Sequence, residues 1–112
     1  MTDNPIAFAI GYLKLKIPYS IIIKSRLRDC AGLYNSVYHG DTLVNHRISI
    51  SLYHTGKYFV RDLNTVIVHE LIHAWQEENG IIETHGIEFQ QMAVKLGGIL
   101  NMPNIYLKDY DV

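Results

Sequence analysis

From about residue 61 to residue 79 the chain keeps one helical period with almost no polar face to turn outward, and this stretch constrains the fold more than any other. Leu63, Ile67, Leu71 and Trp75 make an apolar stripe, which Val66, Val68 and Ala74 widen to most of the circumference. A helix of that composition has to be enclosed by other elements. Gly80 supplies its stop signal. Within its centre stand His69, Glu70 and His73. Residues four apart lie one turn above each other, so the two imidazoles face the same side with the carboxylate beside them. An uncompensated polar group in an apolar setting costs roughly 1–3 kcal/mol. A metal ion removes that cost by using the lone pairs, and His69-Glu70-Leu71-Ile72-His73 is the spacing by which zinc hydrolases do so.

The rest of the chain must cover this helix. Residues 4–16 suit a helix through Ile6, Ile10, Leu13 and Ile17, although Leu13, Leu15 and Ile17 also alternate with Lys14 and Lys16. Pro18 breaks the pattern. Strands are predicted over residues 19–27, 32–39 and 46–54, the second closed by the turn His39-Gly40-Asp41. In the third, Ile48, Ile50 and Leu52 alternate with Arg47, Ser49, Ser51 and Tyr53, which puts one face in the core. A turn at Thr55-Gly56-Lys57 precedes the buried helix, and a further helix is predicted over residues 86–96, ended by Gly97-Gly98. The tail from Asn101 gives no element. Three consecutive strands with flanking helices imply an α+β fold with a mainly antiparallel three-stranded sheet.

At 112 residues, with 48% apolar side chains and no linker or repeat, the chain reads as one domain, residues 1–112, able to fold without disulfides. The single cysteine, Cys30, excludes an intrachain disulfide and fits a reducing compartment. The start of the chain lacks the basic segment of a secretory signal, and the apolar run from Ile6 is too short for a membrane span, so the expected location is the cytoplasm with no membrane partner. Charge divides unevenly. Through Arg61 there are eight Lys/Arg against three Asp/Glu, and from Asp62 onward two against eight. On a strand Lys24, Arg26 and Arg28 would share a face able to meet phosphates, or simply a solvated face complementing the acidic half.

A catalytic zinc takes three protein ligands and keeps a fourth position open. His85, after a helix stop and a loop, can return a ligand from another direction and ranks above Glu83; Glu77, on the same helix face as His73, suits a supporting or surface role. His39, His46 and His54 are isolated among the strands. Two other zinc protease patterns fit less well, since one wants a His where Asn79 stands and the other a helical Glu, for which Glu88 is the candidate.

His69-Glu70-Leu71-Ile72-His73-Ala74-Trp75 followed by His85-Gly86-Ile87-Glu88-Phe89 resembles the SprT-like zinc metalloproteases, the family that includes the Spartan proteases. The likeness extends more weakly to Ala31-Gly32-Leu33-Tyr34 and the strand around Arg47 to Leu52. It implies a small zincin-like domain holding one Zn2+ on His69, His73 and His85, with Glu70 as catalytic base. The implied activity is hydrolysis of peptide bonds in a protein or peptide substrate. In such proteases the substrate lies extended along an edge strand, for which residues 46–54 are the candidate, and Tyr34, Tyr38, Tyr53, His54, Tyr106 and Tyr110 are candidate donors to the oxyanion. No cysteine pair is present for the C-terminal zinc ribbon of many bacterial members, so the resemblance is to the bare catalytic domain. Two other readings stand beside it: a module acting on DNA-associated proteins through the basic face, and a zinc site that is structural only.

Overall fold

The structure, a computed structural model, describes residues 4–27, 30–53 and 63–105. Its elements run α1 (Pro5–Leu13), β1 (Tyr19–Lys24), β2 (Gly32–His39), β3 (Thr42–Ser51), α2 (Leu63–Glu78) and α3 (Ile87–Leu100). The fold is α+β, as expected. His54, Arg28, the turn at residues 55–57, the start of the long helix at residues 61–62, Tyr106 and Tyr110 lie outside the described residues.

Helix α1 begins where the side chain of Asn4 accepts the Ala7 amide at 3.1 Å and Pro5 takes a first-turn position that needs no amide hydrogen. It stops at Lys14, short of the predicted helix over residues 4–16, because Lys14 adopts the left-handed conformation at φ 55 and closes the last turn onto Ile10 and Gly11. Ala9 and Leu13 are its buried face, and it packs on α2.

The sheet order is β1-β3-β2. β2 and β3 form an antiparallel hairpin, His39 pairing with Thr42 across Gly40-Asp41, with an irregularity between Val37 and Tyr38. Gly40 has φ +64 at the first turn position, where a type II′ hairpin turn requires a glycine. β1, in contrast, pairs with β3 in parallel, Tyr19 opposite His46 through Lys24 opposite Ser51. The sheet is therefore mixed, which corrects the expectation of antiparallel pairing. Seven residues separate β1 from β2 at the opposite edge, more than the usual hairpin link.

A second correction follows from that order. β3 has partners on both sides, so it is the centre of the sheet and not the edge strand proposed for a substrate; β2 is the edge nearer the histidines of α2. β3 also starts at Thr42 and ends at Ser51, leaving Leu52 half exposed beyond it instead of in the core. The strand β1 ends at Lys24, so Arg26 does not share its face; the Arg26 guanidinium lies 4.5 Å over the Tyr53 ring.

Opposed residues in a ladder point to the same side, so His46, Ile48 and Ile50 of β3 share one face with Tyr34 and Gly32 of β2. α2 covers that face, and residues 66–74 are all buried. The helix lies tight against Gly32, where a Cβ would meet Val66 Cγ1 at 2.6 Å and Glu70 Oε2 at 2.9 Å. α2 ends in a Schellman turn: Gly80 has φ +68, its amide donates to Glu77 and the Ile81 amide to Gln76.

Helix α3 runs through Gly97-Gly98, which corrects the predicted stop there. Gly97 is buried because the chain doubles back over it. A Cβ at that position would meet the Met102 carbonyl oxygen at 2.7 Å. The helix ends instead at Asn101, left-handed at φ 58, and residues 102–105 return to the core with Met102 and Ile105 buried. Phe89, Ala93 and Leu96 of α3 meet Ile67, Leu71 and Ile72 of α2 in that core. Among the described residues no helix is long and apolar enough to cross a membrane.

Candidate metal centre

Two turns of α2 and the connection to α3 bring His69, His73 and His85 together, each offering a ring nitrogen within 4.8 Å of the others. Ring centroids stand 5.0 Å apart for His69 and His73, 5.6 Å for His69 and His85, and 4.9 Å for His73 and His85. Phe89 backs the cluster, its ring 4.7–5.2 Å from all three. One wall of the group is thereby apolar and closed to water.

Protons are distributed so as to suit a cation. His69 Nδ1 is 2.6 Å from the carbonyl oxygen of Ile105, an acceptor only, so the proton sits on Nδ1 and the lone pair on Nε2. His73 Nδ1 is 2.8 Å from Gln76 Oε1, and Gln76 is turned that way because its Nε2 donates to the Glu83 carbonyl at 2.9 Å. His73 is therefore protonated on Nδ1 as well. Fixing the tautomer through an outer hydrogen bond is the usual arrangement around a metal-ligating imidazole, and it raises the basicity of the other nitrogen. The residues fit a metal ion. Three histidines lie close enough to hold one, all of them anticipated from the sequence.

Glu70 is fully buried, with Oε2 4.0 Å from His69 Nε2, on the side of α2 that meets Gly32. A cleft of about 410 Å3 opens beside His73 and His85. Its walls are Leu33 and Tyr34 of β2, Gln76 and Glu77 of α2, and the connecting residues Ile81, Ile82 and Thr84.

The other carboxylates stay outside the cluster. Glu77 lines the cleft and accepts from the Tyr38 hydroxyl, Glu83 contributes its carbonyl to Gln76, and Glu88 is exposed. Glu78 forms a network of its own, receiving His46 Nε2 at 2.7 Å and the amides of Lys16 and Ile17 at 2.9 and 3.1 Å. Burial pushes its carboxyl upward, but the bond from His46 and the two amides outweigh this and hold it below the ordinary value. His46 in turn meets the Tyr34 hydroxyl at 2.7 Å. Burial, and then the charges of Glu77, Tyr38 and Glu78, raise the Tyr34 phenol well above its usual range, so it keeps its proton. His39 is exposed at the far end of β2, and Tyr53 is exposed beneath Arg26.

Sequence reasoning missed three parts of this site. The Ile105 carbonyl lies in the tail that gave no element, Gln76 was given no role, and His46 was read as isolated. For Gln76 a signal existed: it stands three residues after His73, where side chains of one helix meet.

Comparison with known families places the chain. A profile of the SprT-like family matches residues 13–109, most of the length. The chain belongs to the SprT-like family. No curated protein and no solved structure matched it. The matched span contains both histidine motifs of this SprT-like chain and the strand carrying Gly32, whose missing side chain makes room for Glu70.

Proposed function

We propose that this SprT-like protein is a zinc-dependent metalloendopeptidase in which His69, His73 and His85 hold one Zn2+ and Glu70 is the general base. The observation that carries the reading is the pair of fixed tautomers, His69 on Ile105 and His73 on Gln76, which turn two lone pairs toward the position His85 also reaches. Imidazole nitrogen donors suit zinc. When bound, such an ion acts as a Lewis acid toward a water and toward the scissile carbonyl.

The chain's own residues supply the rest. Glu70, buried beside His69, takes the proton of the attacking water and returns it to the departing amine. Phe89 excludes water from one side of the site. The cleft between β2 and the α2–α3 connection admits an extended peptide along β2, an edge strand among the described residues, the role earlier assigned to β3. Three donor side chains, rather than the four of a structural zinc site, converge among the described residues, and this favours catalysis over a purely structural ion.

Glu70→Gln is the direct test. The variant should keep zinc and the fold while peptide hydrolysis falls by at least about 100-fold, the usual scale for removing a general base. Activity near that of the wild type would refute the assignment of Glu70.

A further inference from the structure

Beside the histidine cluster a second chain of polar groups leads from the cleft into the interior, and the peptidase reading makes no use of it. Tyr34 lines the cleft, its ring centroid 6.5 Å from that of His73. Its hydroxyl oxygen is 2.7 Å from Nδ1 of His46, which is fully buried. The other nitrogen of His46, Nε2, is 2.7 Å from Oε2 of Glu78, and that carboxylate is fixed by the Lys16 and Ile17 amides.

The direction of these bonds follows from what each group can do. A carboxylate only accepts, so His46 carries its proton on Nε2. In the tautomer with its proton on Nε2, Nδ1 is an acceptor, and Tyr34 donates to it. The one proton of the phenol points away from the cleft; the oxygen offers lone pairs to it. Glu77, on the same wall, also presents an acceptor, with Tyr38 already donating to it. This wall of the cleft is therefore made to receive hydrogen-bond donors.

We infer that Tyr34 is a substrate-binding residue that accepts a hydrogen bond from a main-chain N–H of the peptide, and that His46 and Glu78 are positioning residues that hold its proton away. The inference rests on the peptidase reading. It assigns Tyr34 to binding and removes it from the candidate donors to the oxyanion.

The test uses the zinc-loaded full chain, a peptide that it cleaves, and analogues of that peptide N-methylated at one amide at a time. Tyr34→Phe should raise KM about five- to tenfold, the scale of one hydrogen bond, with kcat little changed. One N-methyl analogue should show the same rise with the wild type and no additional rise with Tyr34→Phe. Glu78→Gln should raise KM less, and the double variant should match Tyr34→Phe alone. A fall in kcat at unchanged KM, or an N-methylation penalty that persists in full for every analogue in Tyr34→Phe, overturns the inference and leaves the peptidase reading standing. No cleavage of any peptide by the wild type overturns both.

Discussion

His69 and His73 differ from ordinary core histidines in where their protons lie. A histidine that merely fills space in a core can satisfy either nitrogen, whereas both of these give Nδ1 to an acceptor and keep Nε2 toward a common point. Gln76 is the adjustable part of that arrangement. Gln76→Leu should keep the helix, since the two residues have similar helix propensity, and should weaken zinc binding about 10- to 100-fold. Competition with a chromophoric chelator measures this, and an unchanged dissociation constant would show that Gln76 does not orient His73. At this scale the sequence was informative where chemistry is local: His69, Glu70 and His73 share one helix face by spacing alone. His85 needed the family resemblance as well, and Ile105 was out of reach because a backbone carbonyl 36 residues away leaves no mark on composition or period.

Among the elements, β3 and α3 hold the most instructive departures. Consecutive strands are usually neighbours, and the alternation in residues 46–54 carries no information about parallel or antiparallel pairing. With the first strand predicted through residue 27, only four residues preceded the second, a hairpin-length link; the seven-residue separation emerges only once β1 ends at Lys24. In α3 the pair Gly97-Gly98 looked like a stop, but Gly97 serves the packing of the returning chain against the helix. Gly97→Ala gains helix propensity of about 1 kcal/mol and drives a methyl into the Met102 carbonyl. Overpacking costs about 1–3 kcal/mol, and the displaced backbone cannot bend away as a side chain would. Chemical denaturation should therefore show net destabilisation; because Met102 leads to Ile105, zinc affinity should fall with it. A more stable Gly97→Ala protein with undiminished zinc affinity would mean that residues 102–105 are not held as described.

Across the whole molecule Glu78 ties three regions together: the segment after α1 through the Lys16 and Ile17 amides, the sheet through His46, and α2 itself. Its carboxyl is held below the ordinary value of 4.5. A depressed carboxyl contributes stability that is in full force above the unfolded pKa and is lost as pH falls through the folded one. Unfolding midpoints from about pH 6 to about pH 3 should therefore show the wild type ahead of Glu78→Gln at the upper end, with the gap closing as the acid is protonated. A gap that stays constant across that range would separate the stabilisation from the carboxylate's charge. The α+β class and the enclosure of α2 were legible from hydrophobic period alone, because burial of a helix on nearly every side leaves few ways to cover it. The Tyr34–His46–Glu78 network was not, since it joins β2, β3 and α2, whose mutual placement only the strand order decides.

The proposed peptide hydrolysis requires three histidines acting on one ion. Metal analysis of the protein after zinc loading and removal of excess tests this most directly, with His85→Ala compared against wild type and Glu70→Gln. The account predicts one tightly held zinc per chain in the wild type and in Glu70→Gln, and loss of it in His85→Ala. One full equivalent retained at undiminished affinity in His85→Ala would contradict it.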